Sequence, residues 1–206
     1  MNTKNRILDA ALELFNDQGL KSVTVRVICS KMNISPGNFT YYFRNTDQLV
    51  HELFQLMLND FDAMSAAFLD SPLSVTNFLS AHEQYFQIQH KYCFFYLNIF
   101  EIISTHSEIR EKYQQRHVVE RGFAKQQLKL YIKHGIFLSS VSELDMEYII
   151  NVGYILNNFW IADAKLHGRN NIDQSMDHYL QLCCGRLKPY LTNRALEEFE
   201  KYFEDK

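Results

Sequence analysis

Prolines and glycines are scarce in this chain, and their positions limit what it can fold into. Only three prolines and seven glycines occur among 206 residues, and the prolines at positions 36, 72 and 189 leave 116 consecutive residues without one. Folds built from many short strands need frequent turn residues, and parallel sheets need buried runs rich in Val and Ile. The chain shows neither pattern, so we expect an all-α protein.

The composition excludes several other classes of protein. With 47% apolar and 22% charged residues, the chain can bury a core, and no apolar run approaches the length of about 18 residues that a membrane span requires. Acids in the first apolar segment argue against a cleavable signal peptide. The four cysteines form no CxxC pair, so we expect no metal, no cofactor and no disulfide framework, and a reducing cytoplasmic location.

Charge is distributed unevenly along the chain. The net charge is −3, yet residues 1–50 carry six Lys and Arg against four acids, whereas the remainder carries fifteen against twenty. A basic N-terminal segment on an acidic body is typical of a protein that contacts an anion with one end only.

The first fifty residues contain closely spaced signals for helix starts and stops. Thr3 is the expected N-cap of a first helix, and Thr24 is the expected N-cap of a second helix that stops at Asn33. Ser35 followed by Pro36 is typical of the start of a third helix. Two short helices joined by a tight turn behind a longer one predict a helix-turn-helix unit, whose last helix enters the major groove of DNA.

The predicted third helix separates into two faces. Phe39 and Phe43 lie four residues apart, so they share one face, which we assign to the core. The outward positions are small or carry a hydroxyl or amide, and none is acidic, as a surface facing phosphates requires: Pro36, Gly37, Asn38, Thr40, Tyr41 and Tyr42.

A set of landmarks at fixed spacing runs through this segment: Arg6-Ile7-Leu8, Ala10-Ala11, Leu14-Phe15, Gly19, Thr24, Arg26, Ile28, Ile34-Ser35, Gly37, Phe39, Tyr42-Phe43 and Leu49. In this pattern the segment resembles the DNA-binding domain of the tetracycline-repressor (TetR) family of bacterial transcription regulators. The resemblance implies an all-helical homodimer that binds a palindromic operator and is released from it by a small effector.

Three positions depart from the usual pattern of that family. Thr40 stands where the family usually has a Tyr and Thr46 where it usually has a Lys, both of which contact phosphates, and Cys29 replaces a usual Ala. With Arg26 as the candidate for a base contact, we assign DNA binding to the exposed positions Thr24, Arg26, Ser35, Pro36, Gly37, Asn38, Thr40, Tyr41, Tyr42, Arg44 and Thr46.

Residues 49–206 are predicted to form a larger helical domain behind a head at residues 1–48. No flexible linker separates the two, so a tilt of the fourth helix would move the head. With a loop at 168–171 and Asp173 as the N-cap that follows it, helices are predicted over 46–69, 75–91, 93–104, 107–134, 145–167, 174–190 and 193–204.

Aromatic residues concentrate in this second domain, where they fit either a bulky core or the lining of a ligand pocket. The Asn157-Asn158 pair interrupts an apolar segment, and buried amides need partners that a ligand or a second subunit could supply. The candidate effector-binding residues are His82, Phe86, Asn98, Glu101, Arg121, Asn157 and Trp160.

The helices predicted at 145–167 and 174–190 carry apolar residues around much of their circumference. Such helices must be buried on more than one side. Paired with the same two helices of a second copy, they would form a four-helix bundle, so we expect the homodimer interface there.

Three functions remain open at this point. The first is a ligand-responsive transcription regulator, in its simplest form a repressor of a palindromic operator. The second, kept open by Thr40 and Thr46, is a helical dimer that binds a small molecule or a protein and whose head no longer binds DNA specifically. The third is an enzyme that pairs Glu101 with His82 or His106, but the chain contains no catalytic or nucleotide-binding motif, so we expect no enzyme.

Overall fold

The computed structural model describes residues 2–169 and 172–204, which confirm an all-α fold. Within these ranges eleven α-helices form, joined by short turns: α1 (Thr3–Gln18), α2 (Val25–Met32), α3 (Pro36–Tyr42), α4 (Thr46–Asp70), α5 (Val75–Lys91), α6 (Cys93–Leu97), α7 (Ile99–Thr105), α8 (Ser107–Lys133), α9 (Glu143–Leu166), α10 (Ile172–Gly185) and α11 (Asn193–Glu204). The predicted loop residues Asn170 and Asn171, and the side chain of the predicted cap Asp173, lie outside the described residues.

Side-chain caps define the helix-turn-helix unit as the sequence predicts. Thr24 Oγ1 accepts a hydrogen bond from Val27 N at the start of α2, and Ser35 Oγ accepts one from Asn38 N, at 3.1 Å, at the start of α3. Between the two helices, Asn33 adopts the left-handed conformation, with φ 53° and ψ 47°. Short polar side chains thus satisfy the first amides of both helices and close the turn between them.

The helices on either side of this unit are capped by asparagines. Asn2, rather than the predicted Thr3, caps α1, because the Asn2 side chain accepts a hydrogen bond from the backbone of the third helical residue. Asn45 caps α4 and accepts from Gln48 N at 3.0 Å. The 25-residue α4 then runs from the head into the body without a break.

The core of the head follows the predicted pattern. Ile28, Phe39 and Phe43 are fully buried, and the rings of Phe39 and Phe43 lie 6.0 Å apart. Leu49 and Leu53 of α4 join the same apolar cluster, which continues into the body. Phe39 and Phe43 therefore belong to the core, as their spacing indicates.

In the body, α5 packs against α4, α10 and α11, and α9 packs against α6, α8 and α10. In the part of the chain that the structure describes, the one extended pairing is an isolated antiparallel bridge between Phe137 and Leu191. None of the described helices is both long enough and apolar enough to cross a bilayer.

Two predicted helices end earlier than the periodicity suggests. The segment predicted at 93–104 divides at Asn98, whose Nδ2 donates to Phe94 O at 2.7 Å and competes with the regular backbone pattern. The segment predicted at 174–190 ends as α10 at Gly185, and a 3₁₀ turn over Lys188–Tyr190 follows. Pro189 lies in that turn, where its missing N–H removes a donor that an α-helix would need.

Candidate functional sites

The outward face of α3 is polar and exposed. Pro36, Gly37, Asn38 and Thr40 are all exposed, and Tyr41 is 81% exposed. The Tyr41 ring meets the half-buried ring of its neighbour at position 42 edge to face, with 4.8 Å between ring centroids. The face therefore offers hydroxyls, an amide and an aromatic edge to a partner, over a rigid core of phenylalanines.

Acidic side chains hold half of the basic residues of the head: Lys4 lies on Glu52, Lys21 on Glu101, and Lys31 on Glu13. The described residues supply no ion-pair partner for Arg6, Arg26 or Arg44, and all three side chains are exposed. Of the predicted DNA-binding cations, Arg26 and Arg44 are thus exposed and available to an anion.

Asn16 of α1 joins the head to the body. Its Nδ2 donates to Lys91 O, its Oδ1 accepts from Phe94 N, and both bonds measure 2.9 Å. The neighbouring Phe15 ring lies 5.4 Å from the ring of Phe94. No local sequence signal predicts this contact, because it joins residues that are more than 70 positions apart.

A cavity of about 240 Å³ lies inside the body between α4, α5, α8, α9 and the segment that follows α10. Most of its wall is apolar or aromatic, as in Phe68 and Phe78. The polar and charged residues that line it are Ser65, His82, Tyr85, His117, Glu120, Arg121, Gln127, Tyr131, Tyr154, Asn157 and Arg186. Since α4 lines the cavity and also begins at the head, one rigid helix connects the two sites.

Two of the charged lining residues are held by neighbours outside the cavity. Glu120 accepts a hydrogen bond from Arg116 Nε at 2.6 Å, and burial raises the pKa of Glu120 above its usual value. Arg121 donates to Glu147 Oε2 at 2.8 Å and to Asn151. Glu120 and Arg121 are therefore both already paired with neighbouring side chains.

Arg186 differs from those two residues. Among the described residues, its Nε and Nη1 atoms are buried without a hydrogen-bond partner, and no Asp or Glu forms an ion pair with it. Burial lowers the pKa of Arg186 from its usual value. A Cβ atom added to Gly153 of α9 would collide with Arg186 Nη2, so the guanidinium lies directly against the α9 backbone.

His82 is held in its neutral form. Burial, with the charge of Arg186 as a second cause, lowers the pKa of His82 to about 4. Its Nδ1 lies 3.0 Å from Phe78 O and donates to it, because a carbonyl oxygen can only accept. The Nε2 atom of this tautomer is therefore an acceptor.

The structure brings together only some of the predicted effector-binding residues. His82, Arg121 and Asn157 line the cavity, whereas Phe86 and Trp160 stack on each other at 4.8 Å outside its lining. Trp160 Nε1 donates to the buried Gln89 at 2.7 Å. These two aromatic residues are therefore buried in the core and do not form part of the cavity wall.

The other two candidate effector-binding residues, Asn98 and Glu101, do not line the cavity. Asn98 bonds to the backbone at the junction of α6 and α7, and Glu101 lies on the surface, 3.1 Å from Lys21. Glu101 therefore forms no acid–base pair with His82, which lines the cavity instead.

The neighbouring amides at positions 157 and 158 have different environments. Asn158 is buried, and its Oδ1 accepts from Tyr113 Oη while its Nδ2 donates to Tyr154 O. Asn157 Oδ1 is buried with no partner among the described residues, and Asn157 lines the cavity. Of the two amides, Asn157 is the one left for a ligand.

The sequence analysis did not identify Arg186 or Tyr131 as lining residues. An Arg that follows a helix is typical of the surface, and a single Tyr in a helix is typical of the core.

Apolar side chains remain exposed along one face of α9 and on α10. Ile155 is 58% exposed and Leu166 is 83% exposed. The exposed apolar positions on these two helices recur at helical spacing and are Leu144, Tyr148, Ile155, Phe159, Leu166 and Leu182.

Two family models match the chain in succession. Residues 7–53 match the model described as "Bacterial regulatory proteins, tetR family", and residues 48–199 match the model described as "Bacterial transcriptional repressor". The sequence is 26% identical to the "Probable HTH-type transcriptional regulator YttP" of Bacillus subtilis (strain 168), over all of this chain and 90% of that protein.

Solved structures share the fold. A TetR-family transcriptional regulator from Marinobacter aquaeolei VT8 superposes with a TM-score of 0.89 at 23% identity, covering 100% of this chain and 98% of that one. A transcriptional regulator from Saccharomonospora viridis in complex with choline gives a TM-score of 0.70 at 18% identity, covering 90% and 95%. With the second family model matching most of the chain, this protein belongs to the TetR family of bacterial transcription regulators.

Proposed function

We propose that this regulator binds a palindromic operator as a homodimer and is released from it by a small molecule held in the body cavity. Residues 1–48 would act as the DNA-binding head and residues 49–206 as the effector and dimerisation domain, in the cytoplasm where the DNA lies. A repressor is the simplest form of this function, and the match to the family model described as "Bacterial transcriptional repressor" supports it.

One observation carries the DNA-binding part of the proposal. Arg26 is exposed on α2, the helix that packs against α3, and no acid among the described residues holds its charge. A guanidinium that projects from α2 can reach a base edge or a phosphate while α3 lies in the major groove. The hydroxyl hydrogen of Thr40 is already used within α3, because Oγ1 donates to Gly37 O at 3.1 Å.

The exposed apolar positions of α9 and α10 support a two-fold dimer. Leu144 and Leu166 lie near opposite ends of α9, so the apolar face extends along nearly the whole helix. A second copy that covers this face would remove its apolar surface from water and hold two heads at a fixed separation. Two recognition helices about 34–36 Å apart would then meet successive turns of the major groove.

The cavity supports the effector part of the proposal. It lies between helices, is mainly apolar and is lined by a few polar groups, which is the general character of small-molecule sites. The regulator from Saccharomonospora viridis holds choline within the same fold, which supports a ligand here without identifying it. A ligand that favours a different tilt of α4 would weaken operator binding.

Selection of bound sequences from random duplex DNA by the purified chain tests this function. We expect enrichment of a sequence with two inverted half-sites, two chains for each duplex by sedimentation, and an affinity that falls steeply with salt. Arg26→Ala should weaken binding to the selected site by about 1–3 kcal/mol. Lys31→Ala is the matched control on the same helix, since Lys31 is already paired with Glu13 at 2.7 Å, and it should change the affinity little.

Recovery of no enriched sequence would contradict the proposed function. Equal losses from the Arg26 and Lys31 variants would contradict the assignment of Arg26 as the contact.

A further inference from the structure

The cavity in the body contains a partly buried positive charge that the described residues leave without a counter-charge. Arg186 lines the cavity, and its Nε and Nη1 atoms are buried with no hydrogen-bond partner in the described part of the chain. A buried charge with no partner is strongly unfavourable, so proteins normally pair such groups or neutralise them. A guanidinium is rarely neutralised, because its intrinsic pKa is so high.

The neighbouring residues do not offset this charge. Among the described residues that line the cavity, Glu120 is the one acid, and it is bound to Arg116 at 2.6 Å. The C-terminal end of α10, which immediately precedes Arg186, contributes only the partial negative charge of a helix terminus. His82 stays neutral and lies close enough to be affected by the Arg186 charge.

The backbone makes room for this guanidinium. Gly153 lies in the interior of α9, where a glycine weakens a helix relative to alanine, and a Cβ atom at that position would collide with Arg186 Nη2. Glycine at this position therefore permits the guanidinium to lie against α9 at the cavity wall.

Other polar atoms around the cavity also lack partners. Within the described ranges, His117 Nδ1, Tyr131 Oη and Asn157 Oδ1 are buried without a hydrogen bond, and all three residues line the cavity. Tyr131 can donate to an anionic oxygen, and a neutral imidazole can donate from one ring nitrogen. Among the described residues, the groups in this wall that lack partners thus include one full positive charge and neutral hydrogen-bond donors.

We propose that the cavity binds a small, mainly apolar monocarboxylic acid whose carboxylate lies on Arg186. The inference rests on the proposed function, because this acid would be the effector. A carboxylate accepts charge-assisted hydrogen bonds from a guanidinium, and its one negative charge balances the one positive charge that lacks a partner. The apolar and aromatic remainder of the wall suits a hydrocarbon tail.

The volume limits the size of the ligand. A dry apolar cavity of about 150 Å³ accepts benzene, in an engineered protein cavity. The cavity of about 240 Å³ is larger by roughly half and suits a molecule of about ten non-hydrogen atoms. Octanoate, with eight carbons and two oxygens, is therefore a suitable probe.

Calorimetric titration with three probes that share an eight-carbon chain tests the proposal: octanoate, 1-octanol and octyltrimethylammonium. We expect the unmodified chain to bind octanoate at least tenfold more tightly than octanol and to show no binding of the cation at the same concentrations. Arg186→Met should lower octanoate affinity to that of octanol, and Arg186→Lys should keep a preference for the anion because it keeps the charge.

Arg110→Met is the matched control. Arg110 of α8 does not line the cavity and donates to Ile103 O at 3.2 Å, so the preference for octanoate should survive this change. A second readout needs no ligand. Arg186→Met should unfold at the same temperature as the unmodified chain or a higher one, because it removes a buried charge without breaking an ion pair.

Equal affinity for octanoate and octanol in the unmodified chain would overturn the proposal, as would an unchanged preference in Arg186→Met. A lower unfolding temperature for Arg186→Met than for the unmodified chain would also overturn it, since Arg186 would then stabilise the fold by itself. No DNA is present in these titrations. Octanoate binding in a chain that selects no DNA sequence would contradict the proposed function and leave the carboxylate site standing.

Discussion

The head and the cavity each contain an arginine without an acidic partner among the described residues, but the two arginines lie in different surroundings. Arg26 is exposed, so water solvates its charge and the fold loses nothing by leaving it free for DNA. Arg186 is only partly exposed, its Nε and Nη1 atoms are shielded from water, and burial lowers its pKa. The comparison teaches that a lone surface cation is compatible with many functions, whereas a lone buried cation indicates a missing partner.

The two regions also differ in whether their neutral polar groups have hydrogen-bond partners. In the head, Thr24 and Ser35 cap helices and so stabilise the surface that they help to form. Around the cavity, Tyr131 Oη and Asn157 Oδ1 find no partner in the described part of the chain. The head is thus complete by itself, and the cavity would be completed by a ligand. Three changes would break or sharpen this contrast.

The largest effect is expected from the buried side of the head. Phe39→Ala removes a fully buried ring and should lower the free energy of unfolding of the head by about 3–5 kcal/mol. Tyr41→Ala, two residues away and 81% exposed in the intact chain, should change that free energy by no more than about 0.5 kcal/mol and yet weaken DNA binding.

Denaturant unfolding followed by circular dichroism, together with titration of the selected DNA, separates the two variants. A loss of stability in Tyr41→Ala as large as that in Phe39→Ala would contradict the division of α3 into a core face and a contact face.

An acid-dependent loss of stability is expected from the cavity. The pKa of His82 is about 4 in the folded chain and about 6.5 when unfolded, so the unfolded chain binds the extra proton first. Its contribution is therefore present above about pH 6.5 and is lost as the pH falls towards 4, by about 3 kcal/mol in all.

Urea unfolding at a series of pH values from 7 to 4 measures this loss. His82→Gln cannot take up the proton and should show an acid-dependent loss that is smaller by the amount given above. If the free energy of unfolding fell by the same amount with pH in both chains, His82 would not be held neutral by the cavity.

The smallest change in stability is expected at Gly153. Gly153→Ala gains about 1 kcal/mol from helix propensity, but its new Cβ atom collides with Arg186 Nη2, so the guanidinium must move. We expect weaker octanoate binding with little net change in stability. In the Arg186→Met background the collision is absent, and the propensity gain should appear almost in full.

Thermal unfolding of the four chains, analysed as a double-mutant cycle, measures this coupling between positions 153 and 186. Additive effects would mean that Gly153 does not position the guanidinium.

The sequence predicts the head well because its signals are local. Ser35 beside Pro36, and Asn33 at a left-handed turn, act within a few residues, and the structure confirms both. The periodicity of the apolar residues likewise predicts most of the body helices to within a few residues.

The cavity could not be predicted in this way, because it depends on which helices meet. The sequence around Glu101 and around Arg186 does not indicate which of the two side chains lies at the cavity. Only the packing places Glu101 on Lys21 at the surface and Arg186 beside Gly153 in the interior. Asn157 was a correct suggestion for the lining, since an amide within an apolar run needs a partner wherever the helix lies.

Coupling between the two regions is the central claim, and α4, which begins at the head and lines the cavity, is the element that would carry it. The most direct measurement is fluorescence anisotropy of the selected operator DNA titrated with protein, with and without saturating octanoate. We predict that octanoate weakens operator binding by the unmodified chain at least fivefold and leaves Arg186→Met unaffected. Equal operator affinity with and without octanoate, in a chain that calorimetry shows to bind it, would contradict the account.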